Sequence, residues 1–470
     1  MSSISALDSL LSSGSSSSID LSSILQAAYG ASSSGIDVTS AVNAAVTAAR
    51  APETAWENQG AILENQISAL QKIQTEASNL DNDIQALNSI TGALSARTVS
   101  SSSPNAVSAS AASGASAGNH VVVVNNLATT ASWTSATFAS GSAFLPAGSF
   151  SITNGSGSSS TITTDGTTTL ADVANQINGD HLGVTASVIT DATGARLAIV
   201  ANSSGTAANF SVSTTDVGFG FAQAVTGTNA SLTVDGIQIA SATNTVTGAL
   251  PGVTLNLLSA NPEVEVSLAV APDTSQAATA INSFVSDYNT LIKDLSSQFT
   301  FSGSSEGVLA TDSAVRNLQS ELLGALGYTY SPATGTTSIP TLSSLGISVN
   351  NDGTLTVDSA TLQSALQNNF SDVQNFFQGS SLNGFANALD QQLTGFISPA
   401  NGAFTVDLQS MNSQVADLQN SINNFETYYI APLKTQLQNE YSQAEILLQQ
   451  LPAEMKQISA ELGQNSSSNG

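Results

Sequence analysis

The sequence predicts an α+β multidomain protein: a discontinuous helical, coiled-coil leg built from both chain ends, with nested β-rich head domains between them. Two observations carry this. Narrow apolar seams at steps of three and four lie near both ends of the 470-residue chain. Between them runs a Val-, Thr-, Ser- and Gly-rich middle that has turn signals but no helical period.

Residues 1–34 are Ser-rich with scattered Leu and Ile, too sparse for a core, and are expected to be disordered. The N-terminal leg is expected over 35–98. It opens with an Ala-rich helix ending at Pro52. A long seam follows through Leu63, Ile67, Leu70, Leu80, Ile84, Leu87 and Leu94, spanning about 45 Å of helix.

The head region is expected over 99–272, with 146–228 inserted as a distal head. "VDGIQI" reads as a two-residue hairpin turning on Asp235-Gly236. "SFSIT" and "TITT" flank a second hairpin loop at 154–160. One helix interrupts, with Leu170, Val173, Ala174 and Ile177 on a shared face behind an N-cap at Thr169.

Helix returns over 273–462, carrying a hairpin near 347–357 that turns at Asp352-Gly353. Ile281, Phe284, Val285, Tyr288, Leu291, Ile292 and Leu295 give the first of these helices a wide face, suited to a bundle. The second narrow seam comprises Leu408, Met411, Val415, Leu418, Ile422 and Phe425, and it continues to Leu448, Leu451 and Met455. Pro432 suits the first turn of a new helix, and Pro452 is expected to kink the last one. Residues 463–470 read as a solvated tail.

Pairing the second seam with the first, at 63–94, closes a loop of about 300 residues for about 5 kcal/mol. Five buried Leu or Ile side chains at about 1.5–3 kcal/mol each outweigh that cost. The alternative is that each seam finds the same seam in a second copy.

The formal net charge is −26, yet only 9% of residues are charged, and Lys plus Arg number eight. No basic stripe exists to follow nucleic acid or an anionic membrane surface. No apolar run is long enough to span a bilayer, so membrane insertion is not expected. The start has neither a basic n-region nor an apolar h-region, so no cleaved secretory signal is read there. Cysteine is absent, which removes disulfides and thiolate metal sites.

His120 and His181 are the two histidines, in no metal-ligand spacing. "GASAG" matches a nucleophile elbow in letters only, without the strand and helix that context requires. "NNDGTLTVDS" lacks acidic residues at the end positions of a calcium loop. No catalytic, cofactor or metal site is read from the sequence.

Four stretches together resemble the flagellar filament capping family, also called hook-associated protein 2. "GIDVTSAVNAAVTAARAPE" resembles its N-terminal signature, and "ASLTVDGIQIASATNTVTGALPGVTLNLLSA" its strand-turn-strand motif. "INSFVSDYNTLIKDL" and "LSSLGISVNNDGTLTVDSATLQSALQNNFSDVQNFFQG" are similar to its C-terminal region. The resemblance implies a non-enzymatic assembly protein, secreted and extracellular, at the distal tip of the flagellum. It implies a ring-shaped homo-oligomer, commonly a pentamer. The implied partners are flagellin, hook-associated proteins and, before export, the flagellar type III apparatus or a chaperone. Other flagellar axial proteins and a surface adhesin are the competing readings. Flagellins characteristically end in a Leu-Leu-Arg-like helix, which "ISAELGQNSSSNG" lacks.

Overall fold

The computed structural model describes residues 37–214, 218–300, 307–379 and 383–466, with side chains to 458. The expected disorder at 1–34 lies outside the described residues. Among them the chain forms two compact units. One comprises 37–79, 290–300, 307–322 and 392–466; the other comprises 80–214, 218–289, 323–379 and 383–391.

The first unit is helical. Helix α1 (Val38–Ala49) starts at Asp37, whose carboxylate accepts the Ser40 amide at 3.1 Å. Helix α2 (Ala51–Asn88) follows almost at once. Pro52 therefore begins a helix rather than ending one, because a first-turn proline forfeits no helical hydrogen bond. Helix α2 continues into the second unit, as does α4 (Thr274–Gln298) in the opposite sense.

Helix α9 (Ala403–Phe425) runs through a π-helical turn, Glu426–Ile430, into α10 (Ala431–Ser466). At that turn the Ala431 amide bonds to the Glu426 carbonyl. The widened turn stands directly before Pro432, where an α-helical register would press the ring against the preceding turn. So Pro432 is absorbed within a continuous rod and does not start a separate helix. Pro452 does not end α10 either. Leu448 and Leu451 beside it are exposed, so the carbonyl it strands can be hydrated. The helix takes in 463–466 of the expected tail, and 467–470 lie outside the described residues.

The second unit contains two β-rich cores. Strands β1 (Arg97–Ser101), β2 (Val107–Ala111), β3 (Gly118–Asn126), β11 (Ala230–Val234), β12 (Ile237–Ser241), β13 (Thr245–Leu250), β14 (Val253–Leu257) and β15 (Asn261–Pro272) enclose the first. They form an antiparallel sheet β1-β15-β3-β11-β12 and a second, β13-β14-β2. Val122, Leu232, Leu255 and Leu268 fill the space between.

Strands β4 (Ser132–Thr134), β5 (Gly148–Asn154), β6 (Ser159–Thr164), β7 (Val184–Asp191), β8 (Gly194–Ala201), β9 (Phe210–Thr214) and β10 (Ala222–Val225) enclose the other core with helix α3 (Leu170–Gly179). Their sheets run β10-β4-β8-β7 and β6-β5-β9. The sequence starts this inserted module at 146; its core also takes in Ala131, with Trp133 and Phe138 packed against it. Thr169 caps α3 in a reciprocal box with Asp172.

The turn between β11 and β12 falls on Asp235 (φ +49°) and Gly236 (φ +81°), the left-handed pair that a tight hairpin needs. The Asp235 carboxylate accepts the Val121 amide at 2.9 Å and lies 2.8 Å from His120 Nδ1, pinning the turn to β3.

The remaining helices close over an aromatic cluster. Helix α5 (Ser313–Ala325) precedes the hairpin of β16 (Ile347–Val349) and β17 (Leu355–Val357). Helices α6 (Ser359–Asn368), α7 (Phe370–Gln378) and α8 (Phe385–Ile397) follow. Phe376 and Phe385 stack at 5.5 Å, and Phe284 meets Phe385 edge-on at 5.8 Å.

Candidate assembly surface

The two seams read from the sequence meet over part of their length. Leu63, Ile67 and Leu70 on α2 are buried within the helical unit, while Leu408, Met411, Val415, Leu418, Ile422 and Phe425 on α9 are half-buried. Gln74 Nε2 reaches Thr405 Oγ1 at 3.5 Å, and Trp56 meets Phe425 edge-on with ring centroids 5.5 Å apart. The helices therefore run antiparallel, with α9 lying along the first half of α2.

The partner of α9 is thus shorter than the expected 63–94 stretch. Leu80, Ile84, Leu87 and Leu94 belong to the other unit and are fully buried there. Gln378 on α7 donates to the Leu87 carbonyl at 3.2 Å, and Gln85 donates to Asp390 on α8 at 3.3 Å. One unbroken period serves two sets of neighbours. A periodic stripe records only that a face is covered, so the sequence could not show where the partner changes.

Toward the C-terminus the seam loses its cover. Leu448, Leu451 and Met455 are 44%, 47% and 63% exposed, as are their neighbours Ile446 (54%) and Ile458 (55%). Nearer the π turn, Val42 and Val46 of α1 pack with Ile430, and Leu437 and Tyr441 of α10 close the edge of that cluster.

Charged groups stitch these helices in a pattern the seams do not reveal. Arg50 bonds Glu53 at 2.7 Å and also pairs with Glu426, tying the start of α2 to the π turn. Lys72 pairs with Asp294 of α4 and lies 3.6 Å from Glu76. Burial, reinforced by Asp294 alongside, pushes the Glu76 carboxyl up to about 7. In the other unit Gln85 Nε2 holds Asp81 at 2.7 Å, and burial together with Asp390 pushes Asp81 up to about 6. Asp83 is raised by burial and then by Asp287, and Asp407 by burial and then by Asp312. These pairs join residues far apart in sequence, so no local motif could have exposed them.

No group of three or more His, Cys, Asp or Glu side chains suited to a metal ion occurs among the described residues. No described helix is long and apolar enough to cross a membrane.

Comparison with known proteins places this architecture. Residues 34–131 match the family described as flagellar hook-associated protein 2 N-terminus, and residues 227–453 match its C-terminus. Residues 149–203 match the flagellin hook IN motif. The chain is 28% identical over 409 residues to the B-type flagellar hook-associated protein 2 of Pseudomonas aeruginosa, covering 77% of this chain and 84% of that one. It is 30% identical over 329 residues to the flagellar hook-associated protein 2 of Escherichia coli O157:H7, covering 63% and 70%. The crystal structure of the D1-D2-D3 domains of the flagellar cap protein FliD from Escherichia coli superposes with a TM-score of 0.59 at 28% identity. That match covers 73% of this chain and 99% of the other.

Proposed function

Because the chain belongs to the flagellar hook-associated protein 2 family, the proteins that cap the bacterial flagellar filament, we propose that it works at the distal tip as a ring-shaped homo-oligomer, a pentamer, promoting insertion and folding of exported flagellin subunits. The helical unit serves as the leg that engages the filament, and the two β-rich modules serve as the heads of the cap. The seam residues of α2 and α9 hold the leg together, and Leu448, Leu451 and Met455 extend it toward neighbouring subunits. The chain reaches the tip through the flagellar type III apparatus, accompanied before export by a chaperone, and it meets the hook-associated proteins on the way. It acts by contact and not as an enzyme.

The observation that carries this reading is the helical unit itself. It joins both chain ends in one antiparallel assembly, then leaves an apolar row exposed from Ile446 to Ile458. A row of that kind is suited to contacts outside the chain. A cap that steps as subunits insert needs contacts that are weak and repeated, which a narrow seam among Gln and Asn residues provides.

Deleting the gene tests the reading. Flagellin monomer should spill into the medium while filaments are absent or stunted by electron microscopy. Normal filaments without leakage would refute the capping role.

A further inference from the structure

Arg196 is the one Lys or Arg between residues 98 and 272. It stands exposed on β8, directly opposite Ile189 of β7, and forms no ion pair among the described residues. Asp191, at the turn of the same hairpin, feels its charge but is engaged by the Thr193 amide and hydroxyl at 2.7 and 2.5 Å. The outer face of that sheet continues through Val200 and Val225, 37% and 43% exposed, which flank Ser132 on the strand between them. The face is apolar and uncharged apart from its single cation.

A complementary surface lies on the other β-rich core. In β15, Asn261 pairs with Val124 and Val266 with Val122, so residues 262–265 bulge out opposite Val123 alone. The bulge exposes Glu263, Val264 and Glu265. Other described carboxylates of the β-rich region have local duties. Asp165 holds Thr167, Asp172 caps α3, Asp180 accepts from Ser160, and Asp235 pins the β11–β12 turn. Among the described residues of this region, the side chains of Glu263 and Glu265 alone take part in no hydrogen bond.

We propose that these two surfaces meet between copies of the chain: Arg196 of one copy lies between Glu263 and Glu265 of the next, with Val264 against Ile189 and Val200. Within one chain the two surfaces form no ion pair with each other. A chain of net charge −26 repels its own copies, so a lone cation facing a pair of free carboxylates supplies an attractive element and fixes orientation. Two different surfaces in contact make a head-to-tail interface, which closes into a ring when the rotation permits. A two-fold contact through the β8 face would bring Arg196 against Arg196. The inference rests on the ring reading above and gives that ring a specific contact.

The test is the assembly state of the full-length chain, measured by mass photometry over a concentration series. R196E and the double variant E263K/E265K should each weaken assembly by about tenfold, since each places like charges across the contact. The triple variant carrying all three changes should recover assembly to within about threefold of the parent, because the charges are exchanged rather than lost. Circular dichroism of each variant, unchanged from the parent, would show that the surface changes leave the fold intact. A parent that stays monomeric would overturn the ring reading and this contact together. A parent that assembles while R196E assembles equally well would overturn this contact alone. So would loss in the single-surface variants without recovery in the triple. If R196E left assembly intact but reduced crosslinking to flagellin, the β8 face would belong to a filament subunit and the copy-to-copy contact would fall.

Discussion

Trp56 meets Phe425 edge-on, with ring centroids 5.5 Å apart and planes at 90°, and so joins the start of α2 to the end of α9. Phe425 in turn stacks on Tyr429 at 5.0 Å inside the π turn. An aromatic pair in this geometry contributes about 0.5–1.5 kcal/mol beyond its area burial. A double-mutant cycle on W56A and F425A, followed by urea unfolding, should return a coupling in that range. Additive effects would mean that the rings pack independently.

The carboxyl pairs make the fold sensitive to alkali. Glu76 is pushed up to about 7 and Asp81 up to about 6, each first by burial and then by a second carboxyl. In the unfolded chain both titrate near their ordinary values, so between about pH 4 and 7 the folded state binds more protons. Stability therefore falls as pH rises through that window. Asp81→Asn should flatten the profile, gaining about 1 kcal/mol relative to the parent between pH 5 and 8, with water reaching the pair limiting the gain. Lys72 offsets the Glu76–Asp294 pair, so Lys72→Ala should steepen the loss above pH 7. Thermal melts across pH 4–9 decide both.

One seam should give two different phenotypes. Leu87 is fully buried, and Leu87→Ala should cost about 2–5 kcal/mol in urea unfolding. Leu448→Ser and Leu451→Ser, at exposed positions, should change monomer stability by no more than about 0.5 kcal/mol. On the proposed function these two should still reduce motility by loosening the leg at the filament tip. Retained swimming with normal filament length would remove these positions from the assembly surface.

Pro452 sits inside α10 at a helical cost of about 3 kcal/mol relative to alanine. Pro452→Ala should raise the mean-residue ellipticity at 222 nm and protect amides around Leu448 from exchange. Unchanged exchange there would show that the turn is already held by something other than its own hydrogen bonds.

Much of the fold was legible locally. The Asp235-Gly236 and Asp352-Gly353 turns, the Thr169 cap and the period of α4 each follow from a few consecutive residues. Helices α7 and α8 escaped notice because their Phe and Leu residues sit in short stretches whose amphipathic character shows only once Phe376, Phe377 and Phe385 converge. Pro52 and Pro432 misled for a common reason. A proline is compatible with a helix start or a π turn as well as with a break, and neighbours outside the local window choose among these.

The sequence by itself determined that the ends are helical, that the middle is β-rich, and which faces are apolar, because hydrophobic period and turn chemistry are properties of neighbouring residues. Tertiary structure alone decided where the long seam of α2 changes partners between Gln74 and Leu80, and which carboxyls share buried ground. Those facts depend on residues hundreds of positions apart arriving at one place, and a linear pattern holds no record of what lies opposite it.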